Sequence, residues 1–373
     1  MTLSSRTYQV DDAWAFLELA YEKGWTDGLP VAPPTPDRVN AMIAASGLPA
    51  DHVLGVVPPL QGKATVEKVA IQAVMAGCKP DYFPVVLTAL ACMLTESDNQ
   101  TFNLRGVQDT THSASPLVIV SGPVVKKLDF HYKENAFGGG SRASSTVGRA
   151  IRLILWNLGG ARPGETDMTH VGHPGKFSFC VAENPDDVDN PWTRLNEEHG
   201  YRRDQSTVTV FACEAPRNIL VRPGFLSPDA AGTPENALRM IAHSMAATGS
   251  NNAHLMGQCL VAFGPRTAEF VMKAGWTKEK VRTYLFENAR HRLGDLEKNG
   301  FWAEKGDARN GFWAKYAPWV DQTNRDTMVP VVEKEENIHI IVTGGGVLPV
   351  NAICNGWGCL GGYAVTKEVG TIA

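Results

Sequence analysis

The stretch Pro116-Leu117-Val118-Ile119-Val120-Ser121-Gly122-Pro123 decides the fold. An unbroken apolar run closed by a Ser-Gly-Pro turn reads as a strand covered on both faces. The unit recurs: Cys259-Leu-Val-Ala-Phe263 runs into Gly264-Pro265 and a helix from Thr267, and Ile338-His-Ile-Ile-Val342 runs into Thr343-Gly-Gly-Gly346. Lys176 to Val181 and Thr207 to Ala212 also read as strands. Strands that close on Gly-rich turns and are interleaved with helical stretches predict an α/β fold. The expected form is a layered, mainly parallel or mixed sheet with flanking helices and an N-terminal helical region. The loops gathered at the C-terminal ends of its strands are where a site is expected.

Working outward, Val10 to Lys23 carries apolar residues at helical spacing and stops at Gly24. The four prolines of Gly24 to Pro36 forbid continuous helix and leave an extended connector, either a stiff linker or a loop lining a cleft. Helical runs over 64–77 and from Lys79-Pro80 to Leu94 flank Cys78, and Thr277 caps a charged helix over 278–293. The region 294–328, with Trp302, Trp313 and Trp319, lacks periodicity and reads as an excursion or cover. The chain divides into a mainly helical region 1–110, an α/β core 111–265 with a Gly-rich loop, and a helical excursion with a C-terminal strand and Gly/Cys loop, 266–373. No fixed-period repeat is visible, which argues against a solenoid or propeller.

Composition narrows the function classes. In 373 residues, 35 Lys plus Arg stand against 39 Asp plus Glu without long runs of one sign, so neither nucleic acid nor an anionic membrane surface is an expected partner. No apolar stretch approaches the ~20 residues that cross a bilayer. The polar N-terminus lacks an apolar signal core, and a cytoplasmic location is expected. Seven dispersed cysteines fit reduced thiols better than a disulfide framework.

Three constellations could carry chemistry. The loop Asn135-Ala-Phe-Gly138-Gly139-Gly140-Ser141-Arg142 feeds a helix that also bears Arg149. Backbone N–H groups and the positive end of a helix dipole make such a place a seat for a carboxylate, phosphate or sulfonate; the alternative is a flexible lead-in with solvated arginines. The second is Asp167 to Asn184, in which His173 and Glu183 are candidate acid–base groups and Lys176 a binding group, with His112 in the nearby Thr110-Thr-His-Ser cluster. His170, His173, Cys180 and Glu183 could offer metal ligands, but their spacing matches no closed zinc pattern, and no metal or other cofactor is expected. The third is Cys354-Asn-Gly-Trp-Gly-Cys359, a dithiol if glycine flexibility lets the cysteines approach, and otherwise Gly-rich packing. Cys78, beside Lys79 and ahead of a helix N-terminus, is a further candidate nucleophile unless burial raises its pKa.

Gly24-Trp-Thr-Asp-Gly-Leu-Pro-Val-Ala-Pro-Pro-Thr, Ala64-Thr-Val-Glu-Lys-Val-Ala, Met75-Ala-Gly-Cys-Lys-Pro-Asp-Tyr-Phe-Pro-Val-Val, Val171-Gly-His-Pro-Gly-Lys and the late Gly-Trp-Gly loop together resemble a poorly characterised bacterial family. Its members are large subunits associated with a small domain carrying a selenocysteine- or cysteine-Gly-Ser-Cys (UGSC) motif. The resemblance covers nearly the whole chain, which has no Cys-Gly-Ser-Cys segment. It implies a two-component oxidoreductase or lyase. This chain would bind a small polar or anionic substrate, and a small thiol- or selenol-containing protein subunit would supply the nucleophile within an oligomer. A self-sufficient lyase or hydrolase using His173 and Glu183, with or without a metal, and a non-catalytic scaffold are the alternatives.

Overall fold

The strand read from Leu117 to Val120 is Ser115–Ser121, every residue of it buried. It lies in a computed structural model that describes residues 3–96, 102–221, 233–298, 321, 323–358 and 361–371. The strand closes at Gly122, whose φ is +89° and where a Cβ would lie 2.4 Å from the carbonyl oxygen of Gln205, so only glycine fits. In chain order the described strands are β1 (Val53–Val57), β2 (Gly62–Thr65), β3 (Ser115–Ser121), β4 (Cys180–Ala182), β5 (Thr207–Cys213), β6 (Arg217–Leu220), β7 (Cys259–Phe263), β8 (Arg290–Arg292), β9 (Met328–Pro330), β10 (Ile338–Val342), β11 (Val350–Asn355) and β12 (Val365–Glu368).

Two four-stranded mixed sheets, β12-β5-β3-β4 and β10-β7-β11-β6, carry the fold, and β1-β2 and β8-β9 are separate antiparallel pairs. The expected α/β layering is present. Alternation along the strands shows how the layers stack. Val118, Val120, Cys180, Ala182, Val208 and Val210 face the helices Val66–Met75, Phe83–Met93 and Arg142–Asn157. Cys259, Val261, Phe263, Ile338 and Ile340 face the helices Pro234–Met245, Pro265–Lys273 and Lys278–Asn288. The opposite faces meet each other: Leu117, Ile119, Val181 and Phe211 of one sheet share a cluster with Leu260, Ala262, Ile341, Ala352 and Cys354 of the other. The order is therefore helices, sheet, sheet, helices.

The two sheets also share one topology. In each, a central strand (β3, β7) has a parallel neighbour reached through a helical crossover (β4, β10), an antiparallel neighbour on its other side (β5, β11), and a fourth strand beyond that. The register matches residue for residue. Leu117 pairs with Phe211 and Ile119 with Thr209, as Leu260 pairs with Cys354 and Ala262 with Ala352. The fourth strands are exchanged: β6 follows β5 in sequence but pairs with β11, and β12 follows β11 but pairs with β5. At the crossing point Cys213 bridges Gly356. This repeated topology leaves no fixed sequence period, and strands from 111–265 and 266–373 interleave in both sheets.

The helical expectations for the N-terminal region hold, with Ala13–Glu22 and Pro36–Ser46 ahead of the two helices that flank Cys78. Lys176 to Val181 is a correction. Pro174–Lys176 forms a single 3₁₀ turn, with His173 accepting from the N–H of Gly175, and the strand begins only at Cys180. Proline and glycine at the start of that run favour the turn over a ladder. The Gly24 to Pro36 connector is strapped to the helix Arg142–Asn157, where Trp156 Nε1 donates to Gly24 O and Asn157 Nδ2 to Trp25 O. Trp302, Trp313, Trp319 and Cys359 lie outside the described residues.

Candidate functional site

Two of the Gly-rich turns do meet. The turn Glu134 to Gly138, within the crossover from β3 to β4, lies against the turn Thr343 to Leu348 that follows β10, and Gly344 N–H donates to Tyr132 O at 2.9 Å. Between them and the start of β11 is a cavity of about 570 Å³. Its inner wall includes the small side chains of Ala262, Ala352 and Ala136, and Pro216 and Asn218 close the β6 side. Gly345 permits the approach: a Cβ there would stand 2.9 Å from Glu134 Cγ. Val347 and Leu348 form an exposed apolar rim. Asn351 and Thr343 are already engaged, the first accepting from Gly264 N at 3.1 Å and the second donating to Ala182 O at 2.8 Å.

The expected anion seat needs correction. Gly138 lines the cavity, but Gly139, Gly140 and Ser141 do not. Ser141 caps the following helix by accepting from Ser144 N and donates to Asp129 O. Arg142 donates to Gly77 O. Arg149 binds Asp27 at 2.8 Å and the carbonyls of Leu29 and Pro30. Each arginine reaches backbone or carboxylate oxygens on the N-terminal segment, and among the described residues the cavity lining contains no Lys, Arg or His.

The other two turns meet elsewhere. His170 N–H donates to Thr111 O and Gly172 N–H to Ser113 Oγ, joining the turn before β3 to the loop before β4. Here His112 Nε2 lies 2.8 Å from Glu214 Oε1, which also accepts from Asn251 N, and Trp357 Nε1 donates to Thr110 Oγ1. Burial, and then the charge of Lys176, pushes His173 down to about 4, so its ring is neutral at pH 7; its Nε2 is buried without a hydrogen-bond partner. Lys176 is not a free binding group, since it pairs with both oxygens of Asp167 at 2.8 Å and with Thr169 Oγ1. This cluster stands at the far end of β11 from the cavity. Ala352 to Gly356 alone spans about 13 Å of strand. The loops in which a site is expected thus gather at two separate places.

The thiol and carboxylate candidates are buried. Cys78 donates to Thr146 O at 3.3 Å, and desolvation pushes it up to about 12 despite nearby Arg142. That overturns the reactive-thiolate reading: at the helix junction, burial outweighs the favourable charge. Native iodoacetamide labelling of Cys78 at pH 7 should run roughly a thousandfold slower than an exposed thiol of pKa about 8.5. Prompt modification, mapped by mass spectrometry, would restore it as a nucleophile. Cys354 is fully buried, and its contact is the thiol of Cys213 across the exchanged-strand junction. Glu183 is also fully enclosed. Its Oε2 accepts from Ser121 Oγ and Leu195 N at 2.9 Å, and burial raises its pKa. It holds a backbone segment in place and faces no cleft. Among the described residues no three of His, Cys, Asp and Glu are grouped to hold a metal ion, so His170, His173, Cys180 and Glu183 do not converge.

Sequence reading missed Glu134, Asn218 and the alanines of the cavity, which have no local signature, and Glu214, which matters only through partners distant in the chain. Glu214 had one weak signal, its place at the end of a strand. No helix among the described residues is long and apolar enough to cross a membrane. No protein-family model matches the chain, and no curated protein matches it.

Proposed function

We propose that the chain is the substrate-binding subunit of a two-component thiol- or selenol-dependent enzyme, a reductase or bond-cleaving enzyme acting on a small polar molecule in the cytoplasm. The observation that supports it is a 570 Å³ cavity between two Gly-rich turns that contains hydrogen-bonding groups but, among the described residues, no thiol. Cys78 is held as a buried thiol, so the reacting thiolate or selenolate comes from the small Cys-Gly-Ser-Cys or selenocysteine protein that the sequence resemblance implies. The two proteins form a hetero-oligomer. Co-expression followed by size-exclusion chromatography tests this: the two should co-elute, and turnover should require both. Turnover by this chain alone, or failure of the two to associate, overturns it.

One observation favours a second reading, a self-sufficient lyase or hydrolase. His173 presents a neutral imidazole with an unpartnered Nε2 in the field of the His112–Glu214 pair. Under that reading His173→Gln abolishes turnover by the isolated chain.

A further inference from the structure

We infer that the cavity is the open member of a pair of clefts related by the internal duplication, and that it takes a small hydrogen-bond-donating molecule, an amine or amide, in preference to a carboxylate or phosphate. The inference rests on the reading of this cavity as the substrate site. The register that equates Ile119 with Ala262, Thr209 with Ala352 and Val181 with Ile341 also equates Glu183 with Thr343, and Thr366 of β12 with Asn218 of β6. Each half therefore has a corresponding place at the edge of the central layer. In the first half it is closed. The long connection 183–206 folds back through it, with Leu195 buried in the central layer, its N–H on Glu183 Oε2, and Tyr201 OH on Thr366 O. Larger residues fill its wall, Ile119 and Thr209 in place of two alanines. In the second half the connection is only the turn 343–349, and nothing among the described residues fills the space.

The chemistry of the open cleft follows from which polar atoms are free. Asn351 and Thr343 are engaged as described. The Glu134 carboxylate makes no hydrogen bond or ion pair among the described residues, nor does the Asn218 side chain. Asn135 Nδ2 donates to Gly139 O at 2.8 Å, leaving its Oδ1 as an acceptor. Among the described lining residues the one ionisable side chain is the Glu134 carboxylate. A guest that donates N–H or O–H satisfies the free acceptors of Glu134 and Asn135, whereas an anion meets a carboxylate and, among the described residues, no cation.

Ligand-observed NMR on the purified full chain tests this with ethanolamine, acetamide, acetate and inorganic phosphate. The variants are Glu134→Gln and the double replacement Ala262→Ile with Ala352→Thr, which transplants the closed half's side chains. Ethanolamine and acetamide should bind the natural chain and lose binding in the double variant. Glu134→Gln, at an exposed position, should weaken ethanolamine about fivefold and leave acetamide unchanged. Binding of acetate or phosphate that the double variant removes overturns the ligand class and leaves the substrate-site reading standing. Binding of none of the four, or of all equally with and without the filled wall, overturns both. If the double variant fails to fold by circular dichroism, an ethanolamine affinity unchanged by Glu134→Gln overturns the ligand class by itself.

Discussion

Replacing His339 with leucine should lessen the protein's loss of stability in mild acid by on the order of 3 kcal/mol. His339 lies on β10 in the layer between the sheets, with Phe211 at 5.7 Å and His199 at 6.3 Å between ring centroids, and its Nε2 is 2.9 Å from Gln258 Oε1. Burial, followed by the charges of His199, Arg282 and Lys278, pushes it down to about 3. In the unfolded chain a histidine titrates near 6.5. Its folded pKa is depressed, so the unfolded state binds the proton first as pH falls. The neutral ring's contribution is complete above pH ~6.5 and is lost between about 6.5 and 3. At about 1.4 kcal/mol per pH unit, the natural protein loses on the order of 3 kcal/mol from this group between pH 6.5 and 4. At pH 7 the leucine variant should differ by only about 1 kcal/mol, because Gln258 Oε1 keeps the N–H of Ala364. Glu183 works in the opposite sense. Its raised carboxyl contributes fully below the ordinary value of 4.5 and less above it, but equally in both proteins, so it cancels from the comparison. Urea denaturation at pH 7 and pH 4 reads the difference, and parallel pH dependences for the two proteins would refute the argument.

Asp167→Ala should cost about 3–5 kcal/mol, the typical cost of removing one partner of a buried ion pair and leaving the other charge uncompensated. The Asp167 side chain is 5% exposed, and Lys176 and Arg152, at 2.8 and 3.7 Å, are 14% and 12% exposed. Burial alone would raise the Asp167 carboxyl, but hydrogen bonds from Lys176 and Thr169 outweigh it and hold it below the ordinary range. Removing the carboxylate strands two cations in a place that water scarcely reaches, beside the 110–113 and 169–173 turns. The double variant Asp167→Leu with Lys176→Met should recover part of the loss, since an apolar pair replaces Asp167 and Lys176 and only Arg152 is left without its carboxylate. Chemical denaturation of both variants measures this, and a single variant as stable as the natural chain would show the network to be weak.

How much of this was legible in the residues depends on the range of the physics. Apolar runs closed by Ser-Gly-Pro, Gly-Pro and Thr-Gly-Gly-Gly specify strands and their ends by local sterics, and Thr277 caps its helix through a contact three residues away, although that helix ends at Asn288 and not at 293. Those readings held. The Arg142–Arg149 seat failed because a guanidinium beside a glycine loop is free only if nothing else reaches it, and Asp27 and Gly77 come from more than sixty positions earlier. Cys78 failed for a related reason: Lys79 is visible in sequence, but the burial that decides the thiol is not.

The residues by themselves determined the α/β class, the strands, the caps and the turns at which the chain could open, because backbone sterics and short-range hydrogen bonds act over a few positions. Tertiary structure decided that the two halves exchange their fourth strands, that Cys354 faces Cys213, and that among the described residues nothing fills the space walled by Ala262 and Ala352. Those outcomes turn on which distant segments compete for the same space, and packing at that range leaves no periodic trace in a sequence.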